Sequence, residues 1–294
     1  MPADDLGRVG IWTFALDQQP IAAARELAAE LDELGYGAIW LPEAVGKDPL
    51  VHAAMLLEAS PSIRVATGIA SVYARDAMAM AAGHQTLTEA FGDRFVLGVG
   101  VSHQPMVEGL RGHHYDKPLA YMRSYLEAMD AALYLGAAPD RTPRRVIGAL
   151  GPKMLALAAT HADGAHPYNG TPEHTAAARE ILGPDKMLAP ELAVIVETDA
   201  DLARAAGREH LATYLDLPNY TNNLRRHGFG DADFADGGSD RLIDAVVPWG
   251  DETAIAAAVA AHHDAGADHV CVQVVAPRST VPLAEWRLLA AALC

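Results

Sequence analysis

Short apolar runs alternate with longer stretches of helical periodicity along almost the whole chain. Strands that read as continuous apolar segments are buried on both faces, as in a parallel sheet whose crossover helices cover both sides. The runs fall at 8–14, 38–41, 63–69, 94–100, 144–149, 164–167, 192–196 and 269–275. The first is followed by Ala24, Leu27, Ala28, Leu31 and Leu34 on one helical side, with Pro20 suited to the first turn and Gly35 to the residue after the last. Further helical patterns cover about 51–57, 77–90, 119–135, 153–161, 200–214, 251–266 and the chain from about 283. Thr171, Pro172 and Glu173 form a cap and first turn for another, which Gly183 ends. Eight such units in 294 residues predict a (β/α)8 barrel occupying 1–294 as one domain. A doubly wound open sheet is the alternative, but Gly98-Val99-Gly100 lacks the third glycine of the dinucleotide fingerprint.

One region breaks the rhythm. Between about 216 and 250, before the last unit, an insertion carries Leu217-Pro218-Asn219-Tyr220, Asn222 to Arg226 and Asp236 to Ser239. It reads either as surface elaboration or as a wall of the site, since barrel loops shape the pocket. Composition narrows the function. The 22 basic and 38 acidic residues leave a net charge of −16, which weighs against a nucleic-acid or anionic-membrane surface. No run of about 18 apolar residues predicts a membrane span, and the first ten residues do not read as a signal peptide. Cys271 and Cys294 do not make a disulfide scaffold. The expectation is a cytoplasmic protein acting on a small molecule. His113-His114 and His262-His263 do not read as metal pairs, and zinc, P-loop and nucleophile-elbow motifs are absent from the sequence.

Three segments at the ends of the third, fourth and fifth strands, read in order, resemble the luciferase-like family of flavin and deazaflavin oxidoreductases. They are Val65 to Ser71 with Arg75, Gly92 to Gly100, and Gly151-Pro152-Lys153 through Ala162-Asp163-Gly164. Pro172 to Thr175, Tyr214 to Arg226 and Gly266 to Val270 look like a subgroup that uses coenzyme F420. The resemblance implies a luciferase-like TIM barrel, redox chemistry on a bound tricyclic ring, and a homodimer. The implied cofactor is F420, with FMN and monooxygenase chemistry as the alternative. A flavin-binding protein without turnover is the reading from another class.

The resemblance also assigns residues. A non-proline cis peptide is expected at Gly68–Ile69, with Gly68 letting main chain approach the ring. Val101 and Ser102 are expected against the cofactor, and Leu150 and Gly151 near its phosphate. Helix N-termini favour anions, and Lys153 reads there either as added charge or as a solvated surface lysine. In related deazaflavin sugar-phosphate dehydrogenases a glutamate stands where this chain has His103. An imidazole can move the same proton. Those relatives carry Asp-His where this chain has Glu43-Ala44. Glu43 keeps a polar group there, but Ala44 removes the acid–base role and argues against that activity. Trp12, His113, Tyr115, Tyr220 and Asn223 are expected in the substrate wall, and Trp40 in the core.

Overall fold

The computed structural model describes residues 6–277 and 280–294. Ten short parallel strands occupy eight positions around a closed ring. They are β1 Val9–Trp12, β2 Ala38–Leu41, β3 Arg64–Thr67, β4 Ala70–Ser71, β5 Phe95–Gly100, β6 Arg144–Ile147, β7 Gly164–Ala165, β8 Met187–Leu188, β9 Glu191–Val194 and β10 Val270–Val274. The hydrogen-bonded order is β8-β7-β6-β5-β3-β2-β1-β10-β9, with β4 also on β5. The ends of that path, β8 and β9, are one stretch of chain. Met187 and Leu188 pair with Gly164 and Ala165, then Glu191 to Val194 pair with Cys271 to Val274. Pro190 lies at the break, where it offers no N–H, and its carbonyl accepts from the Cys271 amide at 2.9 Å. Arg179 fastens this seam, donating to the carbonyls of Gly183, Lys186 and Gly266 and to the Asp268 carboxylate, which also accepts from the Leu188 amide.

Alternation along the strands builds two cores. Trp12, Trp40, Ala66, Val96, Val146 and Cys271 pack together inside the ring. Ile11, Ile39, Val65, Leu97, Ile147 and Val272 face outward into the helical layer. That layer comprises α1 Ile21–Glu33, α2 Pro49–Ala59, α3 Ala77–Phe91, α4 Pro118–Asp130, α5 Pro152–His161, α6 Pro172–Leu182 and α7 Ala200–Leu215. After the insertion come α11 Glu252–Asp264 and α12 Leu283–Leu293. Thr171 caps α6 and Gly183 ends it at φ 78°, as the sequence predicts. Helix α4 stops five residues short of the expected Leu135, because Leu133 and Leu135 are exposed and have no core to hold a further turn.

The insertion folds as α8 Pro218–Arg226, α9 Asp231–Phe234 and α10 Asp240–Val246. Leu224, Phe229, Leu242, Ile243 and Val246 pack with Leu211 of α7 and with Ala193 and Ile195 at the end of β9. Parallel pairing of Ile195 with Trp249 fastens the far end to the sheet. Among the described residues no helix is long and apolar enough to cross a membrane.

Six histidines, His52, His84, His166, His174, His262 and His269, are buried, and burial lowers each of them to about 4. These folded values lie below the ordinary 6.5 of an exposed imidazole, so the unfolded chain binds more protons in the interval. Folding stability is therefore complete above about pH 6.5 and falls as pH drops toward 4. Urea midpoints measured at pH 7.5, 6 and 5 should decline steeply; a flat profile across that range would contradict the buried neutral state.

Candidate active site

The third barrel position is split, and the split builds the floor of a cavity. Val65 and Ala66 pair with Phe95 and Val96, whereas Ala70 and Ser71 pair with Val99 and Gly100. Three residues on one strand thus face two on the other, a one-residue bulge. The Thr67 hydroxyl fills the gap, accepting from the Gly98 amide at 2.8 Å and donating to its carbonyl at 2.6 Å. A side chain at residue 98 would strike the Thr67 carbonyl, so glycine is required there.

The Gly68–Ile69 peptide in this bulge is cis, as expected. It forms a shelf tied on several sides. The Gly68 amide donates to the Leu41 carbonyl at 2.7 Å, and the Trp12 indole donates to the Gly68 carbonyl at 2.7 Å. The Ile69 carbonyl accepts from the Glu43 amide at 3.2 Å. Ile69 lies over Gly100 and Gly148, where a Cβ would stand 2.7 Å and 3.3 Å from its side chain. Gly68 serves a different purpose from the one expected. A Cβ there would meet the Trp12 indole and the His166 imidazole at 2.9 Å, so glycine admits these two side chains rather than clearing open space.

Above the shelf lies a cavity of about 510 Å³. The ends of strand positions one to six line it, together with α7 and α8, as befits the C-terminal face of a barrel. Trp12, Glu43, Gly68, Ile69, Val101, Ser102, His103, Tyr115, Leu150, Gly151 and Tyr220 are all brought together here. Three expected residues lie elsewhere. Lys153 is exposed on α5 and does not reach the lining. His113 is exposed beside Tyr73, with ring centroids 6.3 Å apart. Asn223 is buried on the inner side of α8, among its packing contacts rather than on the cavity face.

Glu43 is braced. Arg75 donates to both carboxylate oxygens at 2.9 Å, and the Ser71 amide donates at 2.7 Å. With both oxygens engaged, this carboxylate holds the shelf in place rather than meeting a ligand. His103 is half-buried with its ring 5.5 Å from that of Tyr220, and burial lowers its pKa below the ordinary histidine value. It is neutral at pH 7. The Tyr115 hydroxyl donates to the Ser102 carbonyl at 3.3 Å.

Several lining residues carry no signal in the sequence. The Tyr168 hydroxyl donates to Gln273 at 2.7 Å and lies 2.9 Å from that of Tyr214. The His166 Nδ1–H donates to the Ala189 carbonyl at 2.7 Å, which leaves Nε2 as an acceptor. Arg226 closes α8 and lines the cavity beside the N-terminus of α5, 4.0 Å from where a Gly151 Cβ would stand. Gly151 is the N-cap of α5 and brings no side chain to its N–H groups. An anion placed there meets the helix dipole and a guanidinium together. Among the described residues Arg226 has no acidic partner, and no group of three or more His, Cys, Asp or Glu side chains could hold a metal ion.

The sequence matches the luciferase-like monooxygenase family over residues 8–269. The chain belongs to that family. A Mycobacterium tuberculosis protein, provisionally named a coenzyme F420-dependent oxidoreductase, is 29% identical over 187 residues; the match spans 53% of each chain, about half the relative's length. The 5,10-methylenetetrahydromethanopterin reductase of Methanolobus tindarius is 24% identical over 76% of this chain and 77% of its own. Among solved structures, an F420-dependent secondary alcohol dehydrogenase bound to an F420–acetone adduct superposes with a TM-score of 0.77 at 16% identity, covering 97% of both chains. The FMN complex of the 3,6-diketocamphane monooxygenase from Pseudomonas putida superposes at 0.69 with 13% identity, covering 97% of this chain and 96% of that one. The luciferase-like barrel is thus shared by enzymes of both cofactors.

Gly68→Ala should push the indole and imidazole off the shelf and cost about 1–3 kcal/mol, the usual range for overpacking. Gly151→Ala, with open space around its Cβ, should stay within about 0.5 kcal/mol of the parent. Urea denaturation of the two variants, followed by tryptophan fluorescence, tests the contrast. Equal stabilities would mean that the shelf is not packed as described.

Proposed function

We propose that this protein is an F420-dependent oxidoreductase that moves a hydride between a bound deazaflavin and a small organic substrate. The observation that carries the reading is the main-chain shelf at Gly68–Ile69, roofed by an apolar cavity and flanked by an anion-binding corner. The cavity volume of about 510 Å³ is of ligand-binding size. The flat Ile69 platform suits a planar ring, while the α5 N-terminus and Arg226 suit the phosphate of its tail. Val101, Ser102 and Leu150 line the space between them.

The deazaflavin, when bound, supplies a two-electron carrier for hydride; the chain supplies orientation, a dry surface and a proton site. Neutral His103 is the proton site. In alcohol oxidation it takes the hydroxyl proton as the carbon–hydrogen bond gives up its electron pair, and in carbonyl reduction it returns one. Tyr220 packs against the imidazole and holds its orientation. Open volume beside the shelf supports turnover over mere storage of a ring. FMN, with monooxygenase chemistry, is the alternative outcome of the test. We further propose a homodimer, supported by Val51, Met55 and Met78, which stand exposed on adjacent helices α2 and α3. A monomer in light scattering would remove that part.

Titration with F420 and with FMN, followed by absorbance of each ring, tests the assignment. Preferential F420 binding is expected, and Arg226→Ala should weaken it by about tenfold, the loss of one charge-assisted contact. His103→Phe should lower kcat with little change in cofactor affinity. Because burial lowers the His103 pKa, the basic form prevails at neutral pH. Alcohol oxidation should therefore rise with pH through a midpoint below about 6.5 and then level off. A midpoint well above that value would exclude His103 as the base.

A further inference from the structure

The cavity wall around His103 shows what kind of substrate it accepts. Two side chains of the lining belong to charged residue types, Glu43 and Arg226. The Glu43 carboxylate is matched by Arg75. Arg226 stands at the fifth barrel position beside Gly151, three positions around the ring from Ala44 at the end of β2. If that corner holds the cofactor phosphate, as the proposed function requires, no cation of the lining remains for the substrate; Arg111, outside the lining, is occupied by the Ala44 carbonyl at 3.4 Å and the Glu43 carboxylate at 3.6 Å. The rest of the lining is mainly apolar and includes Phe14, Ala44, Met106, Met154 and Leu217, with Tyr220 beside His103. Its uncharged polar side chains, such as Tyr115, Tyr220, Asn219 and Asn222, can hydrogen-bond a neutral oxygen but cannot balance a full charge. The net charge of −16 adds a long-range field that disfavours anions away from the Arg226 corner.

We infer that the substrate is an uncharged, mainly apolar alcohol or carbonyl compound, with one oxygen presented to His103 and no carboxylate or phosphate. This rests on the proposed function for the direction of chemistry, but the wall selects by charge whichever ring is bound. An ionised group placed against it would leave water without a partner. Aromatic and thioether surfaces reward apolar contact instead. The physical basis for rejecting sugar phosphates is therefore the whole wall, and not Ala44 alone.

The test uses two probes of one shape, methyl 4-hydroxycyclohexanecarboxylate and the free 4-hydroxycyclohexanecarboxylate anion. Binding is read by saturation-transfer NMR on the protein saturated with oxidised F420. It is read again on the Arg226→Ala protein without cofactor, so that the result stands even if F420 does not bind. The ester should bind at least about tenfold more tightly than the anion in both settings, since only the anion buries an unpaired charge. Met106→Lys, at a half-buried position in the helical turn Pro105–Leu110, should bring the anion level with the ester or ahead of it. Ala44→Lys is the second variant should the first not fold. Equal binding of the two probes, failure of both to bind, or no change in order with the added lysine would overturn the inference. Failure of F420 to bind while the ester preference persists would overturn the proposed function and leave the charge selection standing.

Discussion

The site depends on the place where a hydrogen-bond ladder gives way and a side chain replaces it. Parallel strands pair evenly along their length, and a straight third strand would present only a pleated edge to the barrel mouth. Here Thr67 satisfies both polar groups of Gly98 by itself, at 2.8 Å and 2.6 Å. That substitution frees the next two residues to leave the ladder and lie across the mouth as a shelf, before Ala70 rejoins β5 one register later. The neighbouring elements then fasten the shelf: Leu41 and Glu43 from the second barrel position, Trp12 from the first. The Glu43–Arg75 pair belongs to this scaffold, because its acceptor oxygens also take the Ser71 amide on the far side of the bulge.

Much of the architecture was legible because a buried parallel strand must be apolar nearly throughout, and most of the barrel positions announce themselves in that way. The closing position was read as one strand at 192–196, yet the ring closes through two short pieces, Met187–Leu188 and Glu191–Val194. Two residues are too few for a periodic signal, and Glu191 in a buried strand runs against composition. Burial pushes that carboxyl up to about 8, so it is protonated at neutral pH and sits at a strand position as a neutral group. The Asn169 amide donates to it at 3.0 Å. A carboxylic acid in this state is invisible to a reading that counts glutamate as charge.

The site divides along the same line. Residues that serve through main chain, such as Gly68, Gly100 and Gly151, leave a local mark because a strand-end glycine interrupts an apolar run and a glycine before Pro152 marks a helix start. Residues that serve through a partner distant in sequence leave none. Arg226 meets the start of α5 only because α7 and α8 fold back over the barrel mouth, and Lys153, next to Gly151 in sequence, points to solvent instead. Of the two readings of Lys153, the solvated surface lysine is the one the structure shows. Asn223 and Tyr220 are three apart on α8, but Leu224 and Asn223 face its packed side while Tyr220 and Arg226 also reach the cavity.

The distribution of charge follows from these placements. His166 and His269 inside the ring are held neutral by burial, each with Nδ1–H bound to a main-chain carbonyl, and Trp40 stacks on one and donates to the other. Glu191 is neutral as well. The floor beneath the shelf therefore carries no formal charge, which suits the proposed two-electron ring: a fixed charge in that low-dielectric interior would favour one redox state over the other. Charge lies to the sides of that floor: Arg226 meets the helix end at the rim, where water screens it, and the Glu43 carboxylate is neutralised by Arg75. The proposed hydride carrier would meet a floor that is hydrogen-bonded and electrically quiet, and the buried histidines keep it so as long as the pH stays above the range in which they would be forced to ionise.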